Sequence, residues 1–136
     1  MVIGKFASQS RLLFMFLILL SPFLTFAKMQ GDVDNVLLEA FKANNAKAVA
    51  DLFGQNVSLS IKNDSGYYSK FQAEVILADY FRSNKTTEIK QVQRTNRSNN
   101  NFYIVYQIKS PNGTYRVFAK FNQQNGVPTI LELRIE

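Results

Sequence analysis

Three tyrosines lie at positions that the apolar pattern of the chain assigns to the core. Tyr80, Tyr106 and Tyr115 are each expected to face inward from a helix or a strand. A buried tyrosine hydroxyl needs a hydrogen-bond partner or a polar cavity. The three side chains therefore either line a pocket for an apolar ligand with a polar group, or are ordinary core tyrosines bonded to backbone carbonyls.

Glu74 is the one carboxylate close to a predicted core stripe. In an enzyme of isomerase or lyase type it would act as the general base, with a tyrosine hydroxyl such as that of Tyr80 stabilising an oxyanion. The alternative is a glutamate on the flank of a helix, paired with Lys70 four residues earlier. Spacing brings no second polar group to Glu74, so both interpretations remain open.

Histidine and cysteine are both absent from the 136 residues. Histidine is the commonest general base and metal ligand, and cysteine is the other strong zinc ligand. Ser-His-Asp catalysis, cysteine nucleophiles and ordinary zinc sites are therefore excluded. We expect no metal and no cofactor, and any catalysis would depend on carboxylates, tyrosines, lysines or arginines.

The first 27 residues have the pattern of a cleaved signal peptide. Lys5 and Arg11 form a basic start, an apolar run from Leu12 to Leu20 follows, and small residues precede the expected cleavage after Ala27. The run is shorter than the roughly 20 residues that a helical membrane span needs. We expect an exported protein, periplasmic or secreted, with no stable membrane span after cleavage and a single domain from residue 28 to 136.

The charge of the chain does not indicate nucleic-acid binding. Its formal net charge is +6, and cleavage of the signal peptide would remove two of the basic residues. An exported protein with so small a positive excess is expected to have no nucleic-acid partner. Within it, the stretch from 82 to 97 is locally basic, and it either contacts anionic headgroups or polysaccharide or is a solvated edge strand.

Helical spacing predicts three helices, with one strand before the third. The first follows Asp32, the second runs from Ala46 to Phe53, and a turn at 63–66 separates the strand from the third helix. Ser69 and Gln72 form a capping box, so the third helix is expected to begin at Lys70. The apolar positions that define these elements are Val33, Val36, Leu37, Ala40 and Phe41, then Val57, Leu59 and Ile61, then Ala73, Ile76, Leu77, Tyr80 and Phe81.

The remainder of the chain is predicted to form strands. After an edge strand from Thr86 to Thr95, a meander runs through 101–110, 114–123 and 127–136, with three-residue loops that each consist of a type I turn ending in a left-handed glycine. Alternation then gives one inner face to the apolar residues. These are Phe102, Ile104, Tyr106, Ile108, Tyr115, Val117, Ala119, Phe121, Thr129, Leu131, Leu133 and Ile135.

The opposite face of this sheet is a second candidate surface. The register places Val105 opposite Phe118 with Ile130 on the diagonal and Tyr103 nearby, which would form a small apolar patch. Arg116 would face Arg134 across the neighbouring strands. Such a surface is suited to a protein partner or to a homodimer.

The chain resembles a family of small exported bacterial proteins that carry a domain of unknown function with the nuclear transport factor two-like, or cystatin-like, fold. The segments that carry the resemblance lie within residues 32–136 and read NNAKAVADLFGQNVSLSI, YSKFQAEVILADYF, GTYRVFAKF and LELRIE. The resemblance implies an α+β cone in which about three N-terminal helices pack on a curved antiparallel sheet around a pocket, and which often dimerises through the outer sheet face. It implies no particular reaction, since the superfamily holds ketosteroid-isomerase-like enzymes as well as binding domains.

The function that these observations favour is a non-enzymatic exported binding or accessory module. Its partner would be a small apolar ligand, held near Tyr80, Tyr106, Tyr115 and Glu74, or a protein. The alternatives are a ketosteroid-isomerase-like isomerase or lyase with a carboxylate base, and an interaction module that acts through the outer sheet face.

Overall fold

Two short helices open the described part of the chain, and each begins at a side chain that caps it. The computed structural model describes residues 32–97 and 99–136, so the predicted signal peptide lies outside the described residues. Helix α1 (Val33–Lys42) is capped by Asp32, whose carboxylate accepts from the Asp34 amide at 3.3 Å. Helix α2 (Ala46–Ala50) is capped by Asn45.

Two expectations for this region are wrong. Val36 is 44% exposed, because the buried face of α1 is centred on Leu37 and Phe41. Helix α2 ends at Ala50, three residues earlier than expected, since Phe53 already begins a strand. No helix in the described residues is long and apolar enough to cross a membrane.

The third helix, α3 (Lys70–Ser83), begins where the capping box predicts. The Ser69 hydroxyl accepts from the Gln72 amide at 3.2 Å, and the Gln72 side chain accepts from the Ser69 amide at 3.2 Å. Its inner face buries Ala73, Leu77 and Phe81. The ring of Phe81 meets that of Phe41 on α1 edge to face, with centroids 5.3 Å apart.

Six strands form one curved sheet in the order β2-β1-β6-β5-β4-β3. All neighbours are antiparallel except β1 and β6, which run parallel, whereas the resemblance implied an antiparallel sheet. The α+β architecture of the nuclear transport factor two-like fold is confirmed. The strands are β1 (Phe53–Ile61), β2 (Asp64–Ser69), β3 (Glu88–Asn96), β4 (Asn101–Ser110), β5 (Gly113–Gln124) and β6 (Val127–Ile135).

Strand β2 was expected to be a turn. The chain instead reverses at Lys62, which has a φ of 55°, and Asn63, so that Asp64 pairs with Ile61 and Gly66 with Leu59. The sequence Asp64-Ser65-Gly66 has turn-forming composition, but pairing with β1 provides the hydrogen bonds that override it.

The register of β4 and β5 is as predicted, and that of β6 is not. Tyr106 lies opposite Val117, but both hairpins have two-residue loops. In the second loop Asn125 and Gly126 both have positive φ, 57° and 77°, as a type I′ turn requires. A bulge between Lys120 and Phe121 then shifts β6 by one residue.

The two-residue loop reverses the inward and outward sides of β6 near the turn, and the bulge restores the predicted sides from Leu133 onward. Ile130 was expected on the outer face but is fully buried opposite Phe121, while Leu131 was expected inside and is 40% exposed. Beyond the bulge, Leu133 and Ile135 are buried as predicted. The helices and the inner face of the sheet enclose a single apolar core.

Candidate functional site

A cavity of about 280 Å³ lies between the second half of α3 and the hairpin formed by β1 and β2. Aliphatic side chains from β1 and α3 form its walls, and charged side chains stand at the β1–β2 turn and on α3. The residues that line it are Leu59, Ile61, Lys62, Asp64, Tyr68, Ile76, Asp79, Tyr80, Ser83 and Asn84. It is the candidate ligand cavity.

Tyr80 is the central polar group of this cavity. Its side chain is only 6% exposed, and its buried hydroxyl has no hydrogen-bond partner among the described residues. Burial, with a smaller contribution from Tyr115, raises the pKa of Tyr80 to about 12. The hydroxyl therefore stays protonated at physiological pH and retains its donor hydrogen.

Tyr68 forms part of the cavity wall because Gly66, two residues earlier on the same face of β2, has no side chain. A Cβ atom at Gly66 would lie 2.6 Å from the ring carbon that bears the Tyr68 hydroxyl. The ring of Tyr68 thus lies directly over the Gly66 backbone. A side chain at position 66 would force this ring to move.

The end of α3 is fixed by the turn between β4 and β5. The side-chain amide of Asn112 donates to the Ser83 carbonyl at 2.8 Å and to the side-chain oxygen of Asn84 at 2.9 Å. Asn84 in turn donates to the Tyr80 carbonyl at 3.1 Å. These bonds hold the cavity wall at Tyr80, Ser83 and Asn84 against the sheet.

The cavity lining carries one basic and two acidic side chains, and Arg82 outside the lining balances one of the acidic ones. The Lys62 ammonium lies 5.2 Å from the centre of the Tyr115 ring. Asp79 forms an exposed ion pair with Arg82 at 3.6 Å, and Asp64 stands beside Lys62 at the turn. This balance does not favour a strongly charged ligand.

The other two predicted tyrosines, Tyr106 and Tyr115, are not among the residues that line the cavity. The Tyr106 hydroxyl donates to the Asp34 carbonyl at 2.8 Å, and burial, followed by the nearby Asp34 charge, raises its pKa. Tyr115 donates to the Asn112 carbonyl at 3.3 Å. Both hydroxyls therefore have backbone partners, Tyr106 in the core and Tyr115 at a partly exposed position, and of these three tyrosines only Tyr80 lines the cavity.

Glu74 lies on α3 and is partly buried, but it is not among the described residues that line the cavity. The structure shows no ion pair between Glu74 and Lys70 within the described part of the chain. The geometry thus brings no tyrosine hydroxyl to Glu74 through this cavity.

The outer sheet face retains part of the predicted patch. Val105 is paired with Phe118, and the rings of Tyr103 and Phe118 are 5.1 Å apart. Ile130 is excluded from this patch by its burial on the inner face. The expected contact across β5 and β6 is also wrong.

Because of the bulge, Arg116 exchanges backbone hydrogen bonds with Glu136 and does not face Arg134. Arg134 instead lies opposite Phe118, with its guanidinium 4.7 Å from the ring centre. It also lies 3.6 Å from Glu132 and from Glu136. The outer face therefore carries an alternation of aromatic and charged side chains.

Comparison with known proteins identifies the family. A family described as Domain of unknown function (DUF4783) matches residues 34–136. The chain belongs to the DUF4783 family. No curated protein matches the chain.

Solved structures agree with this assignment. A DUF4783 protein from Bacteroides uniformis has a TM-score of 0.72 and 25% identity, over 77% of this chain and 96% of that one. One from Bacteroides fragilis has a TM-score of 0.68 and 27% identity, over 74% and 93%. A structure described as Rd1NTF2_04 with long sheet has a TM-score of 0.60 and 19% identity, over 76% and 95%, which shows the shared fold alone.

This DUF4783 protein also contains a polar cluster that the sequence analysis missed. Asp34 in the first turn of α1 is buried and accepts from Gln91 at 2.9 Å and from Arg94, both on β3. Asp32 lies 3.7 Å from the same guanidinium, which stacks over Phe102 at 4.4 Å. Burial raises the pKa of Asp34, while the Gln91 hydrogen bond and the Arg94 charge act in the opposite direction.

This cluster connects α1 to the edge strand of the sheet. The alternation of polar residues on β3 is the sequence signal for this cluster. It places Gln91 and Arg94 on the same face, near the helix, only when the bulge between Gln91 and Gln93 is taken into account. In the described residues no group of three or more acidic side chains is arranged to hold a metal ion.

Proposed function

We propose that this protein is a non-enzymatic binding module that holds a small, largely apolar ligand in the cavity beside α3. The observation that carries the proposal is the Tyr80 hydroxyl, which is buried at the cavity and has no partner among the described residues. A ligand carbonyl or ether oxygen would accept its hydrogen bond. Leu59, Ile61 and Ile76 would contact the apolar part of the ligand.

Energetic arguments support this use of Tyr80. Leaving a buried hydroxyl without a partner costs about 1–3 kcal/mol, so the arrangement is favourable only if something else satisfies the group. An acceptor on a bound ligand would satisfy it by accepting its hydrogen bond. The cavity volume is close to the lower end of the range for ligand sites, which favours a small ligand.

Native mass spectrometry tests the proposal directly. The protein, purified gently from its own compartment, is expected to carry extra mass that denaturation removes. Tyr80→Phe should lower the ligand-bound fraction several-fold, while Tyr106→Phe, a matched loss of a hydroxyl outside the cavity, should retain it. Equal occupancy in all three proteins, or a wild type free of extra mass, would contradict the proposed role of Tyr80.

Export is part of the same proposal. It is supported by the basic start, apolar run and small residues within positions 1–27. Cell fractionation with N-terminal sequencing is expected to recover a chain that starts at Lys28. A chain with Met1 retained in the cytoplasm would contradict export.

A second candidate function is self-association through the outer sheet face. It is supported by the half-exposed pair of Tyr103 and Phe118 with Val105 alongside. Phe118→Asp should convert a dimer to a monomer in analytical ultracentrifugation, and Val75→Asp, at an exposed apolar residue of α3 away from the sheet face, serves as the control. A wild type that is monomeric at high concentration would exclude this candidate.

A further inference from the structure

We infer that the opposite end of the sheet carries a second site, which binds an acidic oligosaccharide. The site is a basin of about 660 Å³ between the β3–β4 connection and the β5–β6 turn. We call it the amide basin, because asparagine and glutamine side chains form most of its lining. The residues that carry the argument are Arg94, Arg97, Asn99, Asn100, Gln123 and Asn125.

The amide basin is separate from the cavity at Tyr80. Strand β4 begins at Asn101 in the basin and ends at Ser110, next to the turn that holds the end of α3. Ten residues of extended chain span about 30 Å, so a ligand in one site does not reach the other. The inference therefore does not depend on the function proposed for the cavity.

The charge of the basin favours an anionic ligand. Among the described residues that line it, two are arginines and none is acidic. Arg94 is already paired with Asp34 and Asp32, but Arg97 has no carboxylate within ion-pair distance in the described part of the chain. The Arg97 guanidinium stacks over the Tyr103 ring at 5.3 Å, which leaves its edge available to a carboxylate.

The backbone of the basin is preorganised. The Gln123 amide donates to the Asn100 carbonyl at 2.9 Å, and the Arg97 amide donates to the Asn101 carbonyl at 2.7 Å. A side-chain bond of 2.7 Å joins Asn122 to Asn101. These bonds fix the β3–β4 connection against strand β5, so a ligand would not have to order this side of the site before binding.

The amide side chains indicate a ligand rich in hydroxyl groups. Asn101 and Gln123 are engaged with Asn122 and the Gly126 carbonyl, whereas Asn99, Asn100 and Asn125 each offer donors and an acceptor side by side, which matches the neighbouring hydroxyls of a sugar ring. An isolated inorganic anion would need the arginines but not the amides. A nucleic acid would call for more positive charge and for exposed aromatic rings on which bases stack, whereas Phe102 in the basin is 4% exposed.

The test is a titration of the mature protein, followed by amide chemical shifts, with three probes: a uronic acid oligomer, a neutral malto-oligosaccharide and inorganic phosphate. We expect shifts around Arg97, Asn100 and Asn125 with the uronic acid oligomer, and weaker or no response to the other two. Arg97→Gln should weaken binding about tenfold, as the loss of one charge-assisted contact does. Lys90→Gln removes the same charge from exposed strand β3 and should change affinity less than about twofold.

Asn125→Gly provides a second variant that keeps the fold. Asn125 has a φ of 57°, which glycine adopts without strain, so the change removes the amide and leaves the turn. It should weaken oligomer binding and leave the amide chemical shift of Tyr80 unchanged. Equal losses in Arg97→Gln and Lys90→Gln, an equal response to phosphate, or no response to the uronic acid oligomer would each overturn the inference.

Discussion

The hydroxyl of Tyr106 lies 2.8 Å from the backbone carbonyl oxygen of Asp34, and this bond joins the middle of β4 to the first turn of α1. Tyr80 is buried almost as deeply but has no such partner among the described residues. Two tyrosines that the sequence assigns to the same core thus have opposite hydrogen-bonding states. The contrast distinguishes a structural tyrosine from a candidate binding residue.

Removal of the Tyr80 hydroxyl should therefore raise the free energy of unfolding, and removal of the Tyr106 hydroxyl should lower it. Tyr80→Phe is expected to stabilise the ligand-free protein by about 1 kcal/mol, because a buried unsatisfied group is removed. Tyr106→Phe should destabilise it by about 1 kcal/mol, because the Asp34 carbonyl loses its partner. Urea unfolding of the two variants measures both changes, and equal destabilisation would contradict the unsatisfied state of Tyr80.

Ionisation of the Tyr80 hydroxyl should make the stability of the protein depend on pH in the alkaline range. The pKa of Tyr80 is raised from 10.0 to about 12 on folding, so between these values the unfolded chain loses the proton more readily. Deprotonation of the unfolded chain does not affect stability below pH 10, and it makes the wild type progressively less stable as the pH rises from 10 towards 12. The difference in unfolding free energy between wild type and Tyr80→Phe should be constant below pH 10 and change above it.

Substitution of Gly66 should lower ligand affinity more than it lowers the stability of the protein. Gly66→Ala places a Cβ within 2.6 Å of the outer end of the Tyr68 ring, and this end of the side chain can rotate away. We expect ligand affinity to fall several-fold, with a small change in the urea midpoint. Gly54→Ala on β1 is the control, since its Cβ meets Thr129 at 3.3 Å and the Asn56 carbonyl oxygen at 3.6 Å, neither of which lines the cavity. Equal effects on binding would exclude a role for Tyr68.

Loss of the buried Asp34 carboxylate should lower the free energy of unfolding more than loss of an exposed carboxylate. Asp34→Asn weakens the bonds to Gln91 and Arg94 and leaves the guanidinium with Asp32, for an expected loss of about 1–3 kcal/mol. Asp79→Asn removes an exposed pair with Arg82 and should cost less than about 1 kcal/mol. Thermal or urea unfolding compares them, and similar losses would show that Asp34 does not anchor α1 to β3.

Local chemistry accounts for the parts of the fold that were predictable. The capping box at Ser69 and Gln72 is a contact between neighbours in sequence, so its residues identify the start of α3. The alternation along β4 and β5 likewise indicates their shared buried face, because a slip of one residue would expose it. The family resemblance, which depends on such local segments, is confirmed as well.

The errors arise where tertiary contacts decide. The two-residue loop at Asn125 and Gly126 places Ile130 opposite Phe121 on the inner face, and the bulge beside Phe121 then returns Leu133 to that face. The apolar residues of β6 fit either register before the neighbouring strands are known. Strand β2 forms because β1 provides a partner for Asp64–Ser69. The Asp34 cluster needs α1 and β3, which are far apart in sequence, and no spacing rule predicts their approach.

The cavity beside Tyr80 is encoded by a single stretch of the chain. Every residue that lines it lies between Leu59 and Asn84, whereas the meander from β3 to β6 provides support without contributing to the lining. Divergence within this one segment can therefore alter what the cavity accepts while the remaining scaffold stays unchanged. Exchange of residues 59–84 between family members should transfer ligand preference as one genetic unit.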